Sequence, residues 1–208
     1  TLTSRGKASF DSLDINLLTP FIPSGINISG SLSARLSWNG SWPYLQPRGS
    51  ITLNNLSLQN GSFLPLEEIS GDVKLADTTL VFSPISFRHK KTKFILRGKA
   101  TIKPDRQVEA QTVLAVKDTT ILDIAGILSR DSLAISADIP SFQLNILYPL
   151  LSLPAGITAG IRGEINVTGN PDSPALNGIL DIQDITVAES FSAEPITGGV
   201  IGLSFADK

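Results

Sequence analysis

LDINLLTPFIPSGINISGSLSARLSWNGSWPYLQPRGSITLNNLSL, residues Leu13 to Leu58, is written a second time as FQLNILYPLLSLPAGITAGIRGEINVTGNPDSPALNGILDIQDITV, Phe142 to Val187. Pro20 matches Pro149, Gly40 matches Gly169 and Gly49 matches Gly178, each pair 129 positions apart (149 − 20, 169 − 40, 178 − 49). In each copy an apolar turn precedes an alternating strand: Leu17, Leu18, Phe21 and Ile22 in one, Ile146, Leu147, Leu150 and Leu151 in the other. After the last matched glycine the chain reads Ile51, Leu53, Asn54, Asn55, Leu56, Leu58, and its copy Leu180, Ile182, Gln183, Asp184, Ile185, Val187. The apolar positions step by two, skip a polar pair, then step by two again, the pattern of a β-bulge that bends a strand. A repeated bent strand builds an extended array and not a pocket around one site. The repeat is placed at 13–76 and 142–205, with Ile196-Thr197-Gly198 as the counterpart of Ile69-Ser70-Gly71.

The alternation continues outward from this cassette. Ile28, Leu32, Ala34, Leu36 and Trp38 face one way, and Ser31, Ser33, Arg35 and Ser37 the other. That is a strand with one apolar and one wet face. Asn39-Gly40, Gln59-Asn60-Gly61-Ser62, Asp77-Thr78-Thr79 and Pro104-Asp105 supply turns, giving the rhythm of an antiparallel meander. A shorter echo, Arg5-Gly6-Lys7-Ala8-Ser9-Phe10, recurs as Arg97-Gly98-Lys99-Ala100-Thr101-Ile102. Ile121, Ile124, Ile127 and Leu128 step by three and four and form the best helix candidate. About eleven strands result, with short helical segments at 17–22, 121–128 and 146–151 and no linker. The fold class is all-β: one long, twisted, mainly antiparallel sheet curled into an open groove, residues 1–208 forming a single continuous segment.

Composition narrows the function. The net charge of −2 lacks the basic excess of nucleic-acid binders. Hydrophobic residues make up 41% and charged ones 17%, below the roughly 25% charged residues of an ordinary soluble domain, so some apolar surface has to stay uncovered or be finished with Ser, Thr, Asn and Gly. Without cysteine there is no disulfide, thiolate metal site or thiol nucleophile. A chain that has no methionine and starts at Thr1 reads as a piece of a longer protein, so the lack of a signal peptide or membrane helix carries no weight.

Catalytic material is scarce. The single histidine, His89, sits among Arg88, Lys90 and Lys91 and reads as part of a solvated hairpin turn, since a general base needs a carboxylate to orient it. Glu67 and Glu68 are adjacent, and neighbours on a strand point to opposite faces. Glycines fall singly at turns, with no phosphate loop or dinucleotide motif. The expectation is a non-enzyme without cofactor or metal. Arg88, Lys90, Lys91 and Lys93 could touch phosphate headgroups, although a charged hairpin tip is ordinary. Asn-x-Ser/Thr triplets at Asn27, Asn55, Asn60 and Asn166 arise readily in a chain rich in these residues. What remains is the apolar face itself. Either another layer covers it, the commoner arrangement for any one apolar strand residue, or it lines a groove that something else fills.

The phrasing of the cassette resembles the AsmA-like and TamB superfamily of bacterial envelope proteins. The resemblance is carried by LNILYPLL followed by a glycine-rich alternating strand, by VTGNPDSPALNGILDIQDITV, and by LPLEEISGDVKL followed by FILRGKATI. It implies a sheet curled into an open, taco-like channel with an apolar interior. It also implies an inner-membrane anchor outside these residues, a periplasmic location, and transport of phospholipid toward the outer membrane. The basic hairpin at 88–93 has no match in the second copy. Under this reading the partners are phospholipid and, through other parts of the protein, the two membranes, while exposed sheet edges favour edge-to-edge dimers in isolation. The expected lining is Leu32, Leu36, Trp38, Ile51, Leu53, Phe94, Leu96, Ile102, Ile161, Ile165, Val167, Leu180 and Ile182, with bulges after Leu53 and Ile182 supplying curvature. The rival reading is a structural or adhesive β-array with a sealed core whose polar face binds protein or glycan.

Overall fold

The structure, a computed structural model, describes residues 3–17, 26–41, 44–60, 65–103, 105–147, 156–187 and 196–206. The chain divides into two units, Thr1–Ile102 and Lys103–Lys208. The first carries β1 (Thr3–Asp14), β2 (Ile26–Ser41), β3 (Tyr44–Asn60), β4 (Leu66–Ala76), β5 (Thr79–His89) and β6 (Thr92–Ile102). The second carries β7 (Val108–Val116), β8 (Thr119–Leu128), β9 (Leu133–Gln143), β10 (Ile157–Asn170), β11 (Ser173–Val187) and β12 (Ile196–Ala206). The sheet runs in chain order from β1 to β12 and is not closed into a barrel, as the alternation and turn chemistry predict. Helical structure among the described residues amounts to a 3-10 turn at 15–17 and another at Leu144–Leu147. The rest of the expected turns at 17–22 and 146–151 lies outside the described residues.

The two copies of the cassette bend at the same place. From Ser29 to Ser31 on β2 the partners on β3 move from Ser57 to Asn54, and Asn55 takes φ 51°. From Thr158 to Gly160 on β10 the partners on β11 move from Thr186 to Gln183, and Asp184 takes φ 53°. Every one of these positions is shifted by 129. Asn and Asp tolerate the left-handed region better than most residues, which is why the polar pair marks the bulge. Gly30, opposite the first bulge, has φ 111°, and a Cβ there would lie 2.6 Å from the Asn55 carbonyl oxygen.

Three expectations are corrected. Ile121–Leu128 is not a helix but most of β8, which makes the strand count among the described residues twelve. Leu122, Ile124, Gly126 and Leu128 pair across to Leu114, Thr112, Ala110 and Val108 on one face. Ile121 and Ile127 are apolar on the other face, and mixing the two parities imitates a helical spacing. The β-branched run Thr119-Thr120-Ile121 and the two-residue turn at Lys117-Asp118, with Lys117 at φ 56°, favour a hairpin instead. Secondly, Ile196-Thr197-Gly198 does not take the place of Ile69-Ser70-Gly71. Leu58 pairs with Leu66 and Leu53 with Gly71, whereas Val187 pairs with Ile196 and Ile182 with Ile201, so the true match is offset by three residues. Register follows whole apolar rows, not one tripeptide.

The third correction is His89, which is not solvated: it is 3% exposed. Its alternation places it with Phe87 on the apolar side of β5, opposite Thr92 and Phe94 of β6. Nδ1 lies 2.7 Å from the Pro65 carbonyl oxygen. The turn residues Lys90 and Lys91 are the exposed ones.

Candidate functional site

Residues directly opposite one another on antiparallel strands share a face of the sheet. In the first unit one row reads Ala8, Leu36, Gly49, Leu75, Leu80, Ala100 across all six strands. The next reads Phe10, Ala34, Ile51, Val73, Phe82, Gly98, and Leu13, Leu32 and Leu53 follow. On the opposite face the row is Ser9, Arg35, Ser50, Lys74, Val81, Lys99. The second unit repeats the division, with Thr112, Ile124, Ala137, Ile165, Gly178 and Phe205 crossing six strands, and Phe142, Ile161, Ile182 and Ile201 crossing the last four.

This apolar face is unusually open. Among the described residues only Ile15, Ala34, Leu56, Ile85, Phe94, Val116, Phe142 and Ala159 are buried apolar residues, and no large side chain is wholly buried. Leu128, Leu176, Ile201 and Leu203, all on the apolar face, are 44–48% exposed. A sheet packed under a second layer would hold whole rows of Leu and Ile out of water. Here most of those rows stay half-buried.

Within each unit, register brings the expected lining residues to one face. Leu32, Leu36, Trp38, Ile51 and Leu53 share theirs with Phe94, Leu96 and Ile102, and Ile161, Ile165, Val167, Leu180 and Ile182 share the corresponding face of the second unit. All are half-buried except two. Ile102 is 46% exposed, at the end of β6, and Phe94 is buried at 5%, its ring stacked on Phe87 at 5.2 Å. Phe94 is therefore part of the small core and lines nothing. Residues the sequence reading passed over, Leu75, Phe82, Leu176 and Leu203 among them, belong to the same faces, and their place in the alternation was the signal that could have found them.

Glycines let large rings lie flat on this face. Trp38 lies directly across from Gly6, where an added Cβ would fall 2.2 Å from Cζ2, and its Nε1 donates to Ser4 Oγ at 3.2 Å. Phe205 lies across Gly178 in the same manner, at 2.7 Å from a notional Cβ. In the Arg-Gly-Lys-Ala echo, Gly98 is the register partner of Phe82, as Gly6 is of Trp38. On the wet face, the Arg48 guanidinium donates to Asp77 at 2.7 and 3.0 Å and holds that carboxyl below its usual range. Arg88 pairs with Glu68, and Arg162 with Asp181 at 3.2 Å.

Among the described residues no three His, Cys, Asp or Glu side chains are gathered to hold a metal, and no helix is long and apolar enough to cross a membrane. Comparison with protein-family models, with curated proteins and with solved structures finds no match.

Proposed function

We propose that the chain is a non-enzymatic lipid-handling segment of AsmA-like or TamB type, whose apolar face shelters phospholipid acyl chains while headgroups stay in water. The observation that supports it is the pair of half-buried apolar faces, each spanning six strands. Each methylene removed from water contributes about 0.8 kcal/mol, so a diacyl lipid needs a long apolar strip and no specific residue. An open strip of Leu, Ile and Val has that chemistry. With this reading come a periplasmic setting, an inner-membrane anchor supplied by another part of the protein, and traffic of phospholipid toward the outer membrane.

Native mass spectrometry of the purified chain, released from detergent-free buffer, tests the proposal. The expected result is a mass envelope with co-bound phospholipid. A spectrum that stays empty after incubation with phospholipid vesicles, together with failure to take up a hydrophobic fluorophore, would overturn it in favour of a sealed β-array.

A further inference from the structure

The chain's near-neutral total conceals a sharp division. Residues 1–102 hold 11 Lys and Arg against 6 Asp and Glu, and residues 103–208 hold 6 against 13, so the two units carry +5 and −7. Cross-strand register sorts these charges onto the wet faces. In the first unit Lys7, Arg35, Lys74, Arg97 and Lys99 are exposed and have no carboxylate partner among the described residues. In the second, Asp123, Asp138 and Glu164 stand directly opposite one another on β8, β9 and β10.

On the first unit's wet face the cations surround a shallow depression of about 530 Å³ lined by Lys7, Ser9, Arg35, Ser37 and Arg48. A second depression beside it adds Arg5, Asn39 and Gln46. Guanidinium, ammonium, hydroxyl and amide donors around a concave surface are the groups that hold phosphate oxygens. Cations on alternate strands, such as Arg35, Lys74 and Lys99, stand about 10 Å apart, given strand spacings of about 4.8 Å. That is a broad, sparse lattice of charge suited to a flat anionic surface. The aromatic side chains described in this unit, from Phe10 and Trp38 to Phe82 and Phe94, lie on the other face, so among them there is no stacking platform of the kind single-stranded nucleic acid needs.

We infer that the wet face of residues 1–102 docks on an anionic phospholipid bilayer, with a headgroup phosphate seated between Lys7 and Arg35, the cations of the depression that no carboxylate already holds. The acidic second unit is repelled by the same surface, so the chain meets a membrane by its first half. This goes beyond lipid capture by the apolar face and uses the opposite side of the sheet.

The test is co-flotation of the 208-residue chain with vesicles of phosphatidylcholine and phosphatidylglycerol in equal parts, against phosphatidylcholine alone. Binding is expected only to the anionic vesicles and is expected to fade as salt rises. Neutralising Lys74→Gln and Lys99→Gln together is expected to weaken it about 30-fold, at roughly fivefold per cation, with co-bound lipid in native mass spectrometry unchanged. Arg35→Gln is expected to weaken it further, while Glu164→Gln on the second unit does not weaken it. Equal binding to both vesicle types, or no effect of the double substitution, would overturn the inference. Salt-sensitive self-association in ultracentrifugation without flotation would overturn it too, by making the acidic unit of a second copy the partner. None of these outcomes touches the apolar-face proposal, whose readout is the co-bound lipid.

Discussion

Replacing Ile165 by lysine separates a lining from a core. Ile165 stands mid-strand on β10 between Ala137 and Gly178, two small neighbours that give a lysine stem room to carry its ammonium to water. Burying a whole isoleucine side chain contributes roughly 1.5–3 kcal/mol, and the half-buried Ile165 has already gained most of it. Covering what remains with an acyl chain adds about 0.2–1 kcal/mol, and a cation held beside hydrocarbon removes at least as much again. Lipid occupancy of Ile165→Lys is therefore expected to fall about 2- to 30-fold, a loss of about 0.4–2 kcal/mol. The folding cost at so open a position is expected to be about 1 kcal/mol. Phe142→Lys is the control: three residues on from Ile139 along β9 and brought to the same face by the bulge between them, it is 7% exposed, and a charge there is expected to cost about 3 kcal/mol or more. Urea unfolding measures the stabilities and native mass spectrometry the bound lipid. If Ile165→Lys destabilised the fold as much as Phe142→Lys, the lining would be a core and the reasoning would fail.

Four further outcomes are expected. Gly6→Ala drives a methyl group into the Trp38 ring and should cost about 1–3 kcal/mol, read as a lower urea midpoint together with a shift in tryptophan emission. Thr92→Val removes a buried hydroxyl that has no hydrogen-bond partner among the described residues and should raise stability by about 1 kcal/mol; a loss instead would mean that the hydroxyl is satisfied. The Asp77 carboxyl is held below its usual range by Arg48, so the pair's contribution is present above the ordinary carboxylate range and is lost as pH falls through the lowered value. Asp77→Asn should lower stability at neutral and alkaline pH and leave it unchanged at the acid end, where the two profiles converge, so that the acid-side slope flattens. Finally, β12 is an edge strand without a single charged residue, with Val200 68% exposed, so the chain should self-associate at high concentration and Val200→Lys should suppress this in ultracentrifugation.

The alternation of Leu32, Ala34, Leu36 and Trp38 against Ser31, Ser33, Arg35 and Ser37 was enough to place a strand, its two faces and its direction in a meander. The bulge was equally legible, because Asn54-Asn55 and Gln183-Asp184 interrupt the period at the same point in both copies. What failed had a physical cause in each case. The stretch Ile121–Leu128 carries isoleucines on both faces, and two superposed two-residue periods read as one of three or four. His89 was judged by its sequence neighbours, Lys90 and Lys91, when its burial is set by its cross-strand neighbour Thr92 and by its parity with Phe87. Phe94 was assigned to the lining because alternation reveals the face and not the depth, and depth here comes from the stacked ring of Phe87. The charge division between the halves escaped because the totals nearly cancel.

Because successive strands of this sheet are neighbours in chain order, the contacts that define the structure close short spans of chain. Short closures cost little conformational entropy, so hairpins such as β4–β5, joined at Asp77-Thr78, can zip as soon as both strands exist. Such a sheet grows by addition during synthesis, and whole hairpins can be gained or lost over evolutionary time without any strand having to be rethreaded.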